Sequence, residues 1–220
     1  MLSYKHGFLF VHVFKVAGTT LRASLEPYSR LVDRQRLSYL ASRVGWKPDA
    51  IFRRLKMFPY HVTAAELRAA IPAADWDRLF KFAFVRNSWD WQVSLYEYVR
   101  QSKQHYHHEQ VVRLTFDEYI RWRLSNDFRL QRSFVCDAKG DPILDFIGRF
   151  ENLEADFSNV TARLGISASL GHANETDRRD YRTYYTPETR RLVADAFAPD
   201  IELFEFEFDN GVHRPARTAT

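Results

Sequence analysis

Cysteine is nearly absent from the 220-residue chain: Cys136 stands alone. That excludes an internal disulfide framework and a thiolate zinc cluster. Eight glycines and eight prolines are too few for a fibrous or low-complexity protein. No apolar run approaches the ~20 residues a membrane-spanning helix needs. The run from Gly7 to Phe14 is strand-like and is followed by no small-residue cleavage site of a secretory signal. A protein of a reducing compartment, most simply the cytoplasm, is the expectation. Hydrophobic residues make up 45% of the chain and aromatic ones 15%, enough to bury a core and to exclude general disorder. The length suits one domain over 1–220, with a basic helical insertion at 28–60 and a flexible tail at 209–220.

Charge is unevenly placed. Residues 1–60 carry eleven Lys/Arg against three acids, although the whole chain is only +4. A basic N-terminal portion suits an anionic ligand, and equally a set of solvated helix faces.

Phe8–Phe14 is short, apolar and β-branched or aromatic, and predicts a buried strand. After Lys15-Val16-Ala17-Gly18, the four-residue spacing of Leu21 and Leu25 predicts a helix capped by Thr19 or Thr20. Short helices are expected at Arg34–Val44 and Ala50–Lys56, and Thr63/Glu66 and Thr115/Glu118 each form the signature of a capping box. Leu79–Val85 reads as a second core strand, followed by Arg86-Asn87 and a helix capped by Ser88. Further helices are predicted over Thr115–Asn126, Asn152–Leu164 and Pro187–Phe197, with a small β element over Phe134–Ile147 and an edge strand over Phe204–Phe208. Strands alternating with helices predict an α/β fold with a mostly parallel sheet, whose ligands sit beyond the carboxyl ends of the strands.

Both strand–helix turns carry the parts of an anion site. In the first, Gly18 allows close backbone approach, the helix amides and dipole favour negative charge, Thr19 and Thr20 add hydroxyls, and Lys15 adds a mobile cation. A nucleotide-kinase loop would need Gly-x-x-x-x-Gly-Lys-Ser/Thr. Here the lysine precedes the glycine by three residues. The second strand ends in Arg86-Asn87 where such an enzyme would hold a metal-binding Asp. A phosphate-like group handled without magnesium, such as a sulfonate, fits better. In the second turn, the Arg86 guanidinium and the Ser94 hydroxyl can share one phosphate, unless Arg86 serves a structural salt bridge.

These residues carry a family resemblance. Val13-Phe14-Lys15-Val16-Ala17-Gly18-Thr19-Thr20-Leu21 resembles the 5′-phosphosulfate loop of sulfotransferases that use 3′-phosphoadenosine 5′-phosphosulfate (PAPS). Phe82-Ala83-Phe84-Val85-Arg86-Asn87-Ser88-Trp89-Asp90-Trp91-Gln92-Val93-Ser94-Leu95-Tyr96 resembles that family's 3′-phosphate motif. The pattern is most similar to the carbohydrate sulfotransferases of heparan 2-O and chondroitin 4-O type and their bacterial relatives. It extends through Gly148–Leu153 and Tyr184-Tyr185-Thr186. Phe14 and Ser88 replace usual prolines, and Trp91 replaces a frequent arginine.

The resemblance implies a P-loop-like three-layer α/β sandwich and in-line transfer of a sulfonate from PAPS to an acceptor hydroxyl, with no metal. In it Lys15 stabilises the leaving oxygens, Val16, Ala17, Gly18, Thr19 and Thr20 hold the 5′ end, and Arg86 and Ser94 hold the 3′-phosphate. Asn174, Thr176 and Arg178 fall near the segment that closes over the co-substrate. His61, in Phe58-Pro59-Tyr60-His61-Val62, matches the segment where the 2-O enzymes carry their catalytic histidine, and its ordinary pKa suits a base near neutrality. His12, Glu26 and Glu66 remain alternatives. The acceptor is a carbohydrate hydroxyl, an acidic glycan among the candidates, or a small-molecule alcohol, with nucleic acid not expected. The competing reading is a polyanion-binding module without chemistry. His105-Tyr106-His107-His108-Glu109 matches no standard metal-ligand spacing and reads as an exposed polar loop.

Overall fold

The computed structural model describes residues 1–29, 61–171 and 179–209. The two helices expected within 30–60, and the tail from 210 onward, lie outside the described residues. Four strands form one sheet in the order β1 (Leu2–Ser3), β2 (Phe8–Val11), β3 (Phe80–Val85) and β4 (Phe146–Arg149). β1 is antiparallel to β2, and the other pairings are parallel, with Phe10 opposite Phe82 and Val85 opposite Arg149. Among the described residues the helices are α1 (Gly18–Leu25), α2 (Ala64–Ala70), α3 (Ala73–Arg78), α4 (Ser88–Gln101), α5 (His108–Val111), α6 (Phe116–Asn126), α7 (Arg132–Val135), α8 (Leu153–Leu164), α9 (Pro187–Ala196) and α10 (Ala198–Phe204). This is the predicted α/β fold, a mostly parallel sheet between helices.

The chain divides into two compact units. Among the described residues the first comprises 1–29, 61–85 and 133–171, the second 86–132 and 179–209. The first holds the whole sheet. Every residue of β2 is buried, as is β3 from Lys81 on, so both read as near-continuous apolar runs, as strands covered on both faces do. The Phe10 and Phe82 rings stack at 5.3 Å. One charge interrupts β3. The buried Lys81 ammonium donates to the Leu79 and Trp76 carbonyls at 2.7 and 3.2 Å and lies 2.8 Å from Asp145 Oδ2. A Cβ at Gly148 would lie 2.5 Å from the Phe84 ring, so β4 reaches β3 only because it carries glycine there.

Local signals set the helix starts. Thr63/Glu66 and Thr115/Glu118 form the predicted capping boxes, and Thr186 caps α9 with Pro187 in the first turn. In the second unit the fully buried Trp91 meets Phe197 edge-on at 6.2 Å.

Four expectations are corrected. The first strand ends at Val11, because its pairing with β3 stops at Val11–Ala83 and the chain then turns through left-handed residues. Neither Thr19 nor Thr20 caps α1, which starts at Gly18 after Ala17 with no side-chain cap. Of the Phe134–Ile147 element, Phe146 and Ile147 open β4, and the rest is reduced to a single bridge, Cys136–Pro142, around a turn in which Asp137 Oδ1 accepts from the Lys139 and Asp141 amides. The segment Phe204–Phe208 forms no strand. Helix α10 runs to Phe204, Glu205 at φ 53° closes it, and the alternating Phe204, Phe206 and Phe208 are buried without a ladder.

Candidate functional site

The first corner follows β2. Val13 and Val16 are fully buried and anchor the loop, while Lys15 and Ala17 adopt φ 62° and 60°. For residues with a Cβ, this conformation costs on the order of 1 kcal/mol each. Helix α1 then begins without a side-chain cap, so its first-turn amides face outward along the helix axis as donors for an anion. Gly18 is needed for a reason the sequence does not show: a Cβ there would lie 1.7 Å from His12 Nε2. The His12 ring fills the space the glycine leaves.

His61, 49 residues further along the chain, is brought to the same place. Its ring lies 4.9 Å from that of His12 and 5.5 Å from that of Phe14, and its Nδ1 is 3.3 Å from the His12 carbonyl oxygen. A carbonyl oxygen only accepts, so Nδ1 carries the proton of neutral His61 and the lone pair resides on Nε2. The other candidate bases are placed differently. Glu66 Oε2 accepts from the Thr63 amide and hydroxyl, both at 2.8 Å, within its capping box. Glu26 is exposed in a short 3-10 turn after α1.

The second corner follows β3. Asn87, not Ser88, caps α4, its Oδ1 accepting from the Trp89 amide at 3.1 Å. Ser88, one residue inside the helix, is fully buried. Arg86 is also buried, and its Nε donates to Asp90 Oδ2 at 2.7 Å. The structural salt bridge is therefore present, as a pair one helical turn apart that takes one of the five guanidinium N–H groups. Ser94 is half-buried in the second turn of α4. Trp91, which stands in place of a frequent arginine, is packed into the core.

Sequence reading missed the groups that hold this corner. The Gln131 side chain pairs with the Arg86 peptide in both directions, at 2.9 Å from the Arg86 N–H and 2.7 Å to its C=O. Asp200 in turn accepts from the Gln131 and Arg132 amides at 2.7 and 2.8 Å. Burial pushes the Asp200 carboxyl up to about 6, against the lowering pull of those two amides and of Arg132. A polar residue in an irregular segment carries no periodic signal, which is why Gln131 was not singled out.

The stretch Gly148–Leu153 makes a third β–α corner. There the Asp156 carboxylate accepts from the Arg149 amide at 2.7 Å and from Asn152 Nδ2 at 2.9 Å. Asn174, Thr176 and Arg178 lie outside the described residues. In the histidine-rich segment, His105 stacks on Tyr106 at 4.5 Å, His107 meets Trp122 at 4.7 Å, and His108 Nδ1 lies 2.9 Å from the Val99 carbonyl. Part of that segment is helical (α5), and among the described residues no group of three or more His, Cys, Asp or Glu is placed to hold a metal ion. None of the described helices is long and apolar enough to cross a membrane.

Comparison with known proteins gives the corners their context. No curated protein matches the chain significantly. A crystal structure of the mouse sulfotransferase SULT7A1 complexed with PAP superposes with a TM-score of 0.54 at 16% identity, covering 91% of this chain and 86% of that one. At that identity the likeness speaks for the fold. A family model described as the sulfotransferase family matches residues 1–207, and the chain, an enzyme by that membership, belongs to the sulfotransferase family.

Proposed function

We propose that the enzyme transfers a sulfonate from PAPS to a carbohydrate hydroxyl. The observation that carries this reading is the lysine-bearing loop opening an uncapped helix, with His61 drawn to the same loop, in a chain of this family. The mouse relative's complex with PAP supports the choice of donor. The basic composition of residues 1–60 supports an acidic glycan as acceptor. A cytoplasmic location belongs to the same proposal.

In this reading the amides of Val16–Thr20 and the hydroxyls of Thr19 and Thr20 hold the 5′-phosphosulfate, and Arg86 and Ser94 hold the 3′-phosphate. The acceptor oxygen attacks sulfur, and the sulfur–oxygen bond to the 5′-phosphate breaks in line. Lys15 stabilises the charge that builds on the leaving phosphate. His61 Nε2 takes the acceptor proton, because its Nδ1–H is held by the His12 carbonyl.

Calorimetry with 3′-phosphoadenosine 5′-phosphate tests the donor. Binding without magnesium, weakened in both Lys15→Ala and Arg86→Ala, is expected. Binding of ATP–magnesium in place of the bisphosphate would falsify the reading. For the base, His61→Ala keeps nucleotide affinity and removes transfer, and unchanged turnover dismisses it.

A further inference from the structure

We propose that Gln131 and Asp200 are positioning residues that set Arg86 for the 3′-phosphate. The inference rests on the reading of Arg86 given above and extends it to two residues that touch no substrate.

The argument starts from β3. Its pairing with β4 stops at Val85–Arg149, so the next peptide, that of Arg86, leaves the ladder with its N–H and C=O still to satisfy. A buried peptide group without a partner is costly. Gln131 supplies both partners from a fully buried side chain, accepting from the Arg86 N–H and donating to its C=O. The primary amide thus does for this one residue what a paired strand would do. The requirement is narrow: Glu at 131 accepts but cannot donate, and Asn is one methylene too short to keep the same backbone placement.

Gln131 is itself held. Both oxygens of the fully buried Asp200 accept consecutive backbone amides, those of Gln131 and Arg132, which fixes the peptide that carries the Gln131 side chain. At the other end, Asp90 fixes the Arg86 guanidinium through Nε. Arg86 is therefore clamped at its backbone by one network and at its side chain by another. A clamped arginine loses little freedom when it meets a phosphate, and its planar fork needs correct aim to form paired bonds. Buried polar residues spaced 45 and 69 positions apart do more here than fill a core, since both polar atoms of the Gln131 side chain end on the one residue assigned to the 3′-phosphate.

The test measures what the 3′-phosphate adds to affinity. Calorimetry gives the ratio of dissociation constants for adenosine 5′-monophosphate and 3′-phosphoadenosine 5′-phosphate, in wild type, Arg86→Ala, Gln131→Glu, Gln131→Met and Asp200→Asn. Loss of a well-aimed charge-assisted contact corresponds to about tenfold or more. We expect the Gln131 variants to lower the ratio about tenfold, and Asp200→Asn to lower it less, with monophosphate affinity unchanged. A folding defect alone weakens both nucleotides alike and leaves the ratio intact. If Arg86→Ala collapses the ratio while the folded Gln131 and Asp200 variants keep it, the brace has no positioning role. If Arg86→Ala leaves the ratio unchanged, the assignment of Arg86 fails, and this inference with it. Gln131→Met, apolar and of similar length, and Asp200→Asn carry the test should Gln131→Glu not fold.

Discussion

The two β–α corners hold a chain reversal at the end of a parallel strand by opposite means. At residues 12–20 the backbone does the holding. Two non-glycine residues sit left-handed, the helix starts with no side-chain cap, and a histidine ring occupies the space of an absent Cβ. At residues 86–94 side chains do it, with Asn87 capping, Asp90 on the guanidinium and Gln131 on the Arg86 peptide. The contrast fits two tasks. Fixed backbone dipoles suit charge that develops during reaction, because they need no reorganisation at that moment. A braced guanidinium suits a charge that is the same before and after.

The strongest challenge to this division is kinetic. Lys15→Ala is expected to lower kcat by about 10²–10³, in line with loss of one transition-state contact, whereas Arg86→Ala is expected to act mainly on donor affinity. Steady-state kinetics on both variants decides, and proportionate losses in both parameters for both variants erase the distinction.

Next in size is a pH effect confined to the braced corner. The native Asp200 carboxyl titrates at about 6, above its ordinary 3.8. Folding therefore favours its protonated form. That contribution is fully present below the unfolded value and is lost as pH rises through about 6. The gap corresponds to at most about 3 kcal/mol. Denaturant titrations from pH 4 to 7 should show wild type losing stability relative to Asp200→Asn across this window. A flat difference shows that the carboxyl is not desolvated.

Gly18→Ala probes the backbone corner in the same way. Overpacking against His12 is expected to destabilise the fold by about 1–3 kcal/mol. The double variant with His12→Ala should recover most of that loss. Absence of recovery means that the glycine serves something other than the histidine ring. The smallest expected effect is Ala17→Gly. Relief of a left-handed alanine should raise stability by up to about 1 kcal/mol, visible as a shift in Tm, and a decrease in stability contradicts the strain assigned to this loop.

How much of this was legible follows from the range of each interaction. The strands Phe8–Val11 and Phe80–Val85 stand out because strands buried on both faces are near-continuous apolar runs. Two helix starts were readable because capping boxes close within four residues. The cap of α4 was off by one residue, since Asn87 and Ser88 are both competent caps and only the backbone turn decides between them. Lys15, Arg86 and His61 are singled out by motifs alone. The carbonyl that orients His61 and the amide that braces Arg86 are not, because both are tertiary and leave no periodic trace. The failed strand at Phe204–Phe208 shows the reverse error. Alternation of period two arises there from a helix end followed by irregular chain, with the same rings buried.

Lys81 has a consequence for how the sheet assembles. A run such as Phe-Lys-Phe-Ala-Phe-Val offers many near-equivalent apolar alignments, and apolar side chains alone discriminate poorly between them. One ammonium with an acid opposite its own backbone, at Asp145, breaks that degeneracy. Sliding β3 by a single residue would bury an uncompensated cation among phenylalanines. The lysine thus acts as a register pin for the sheet.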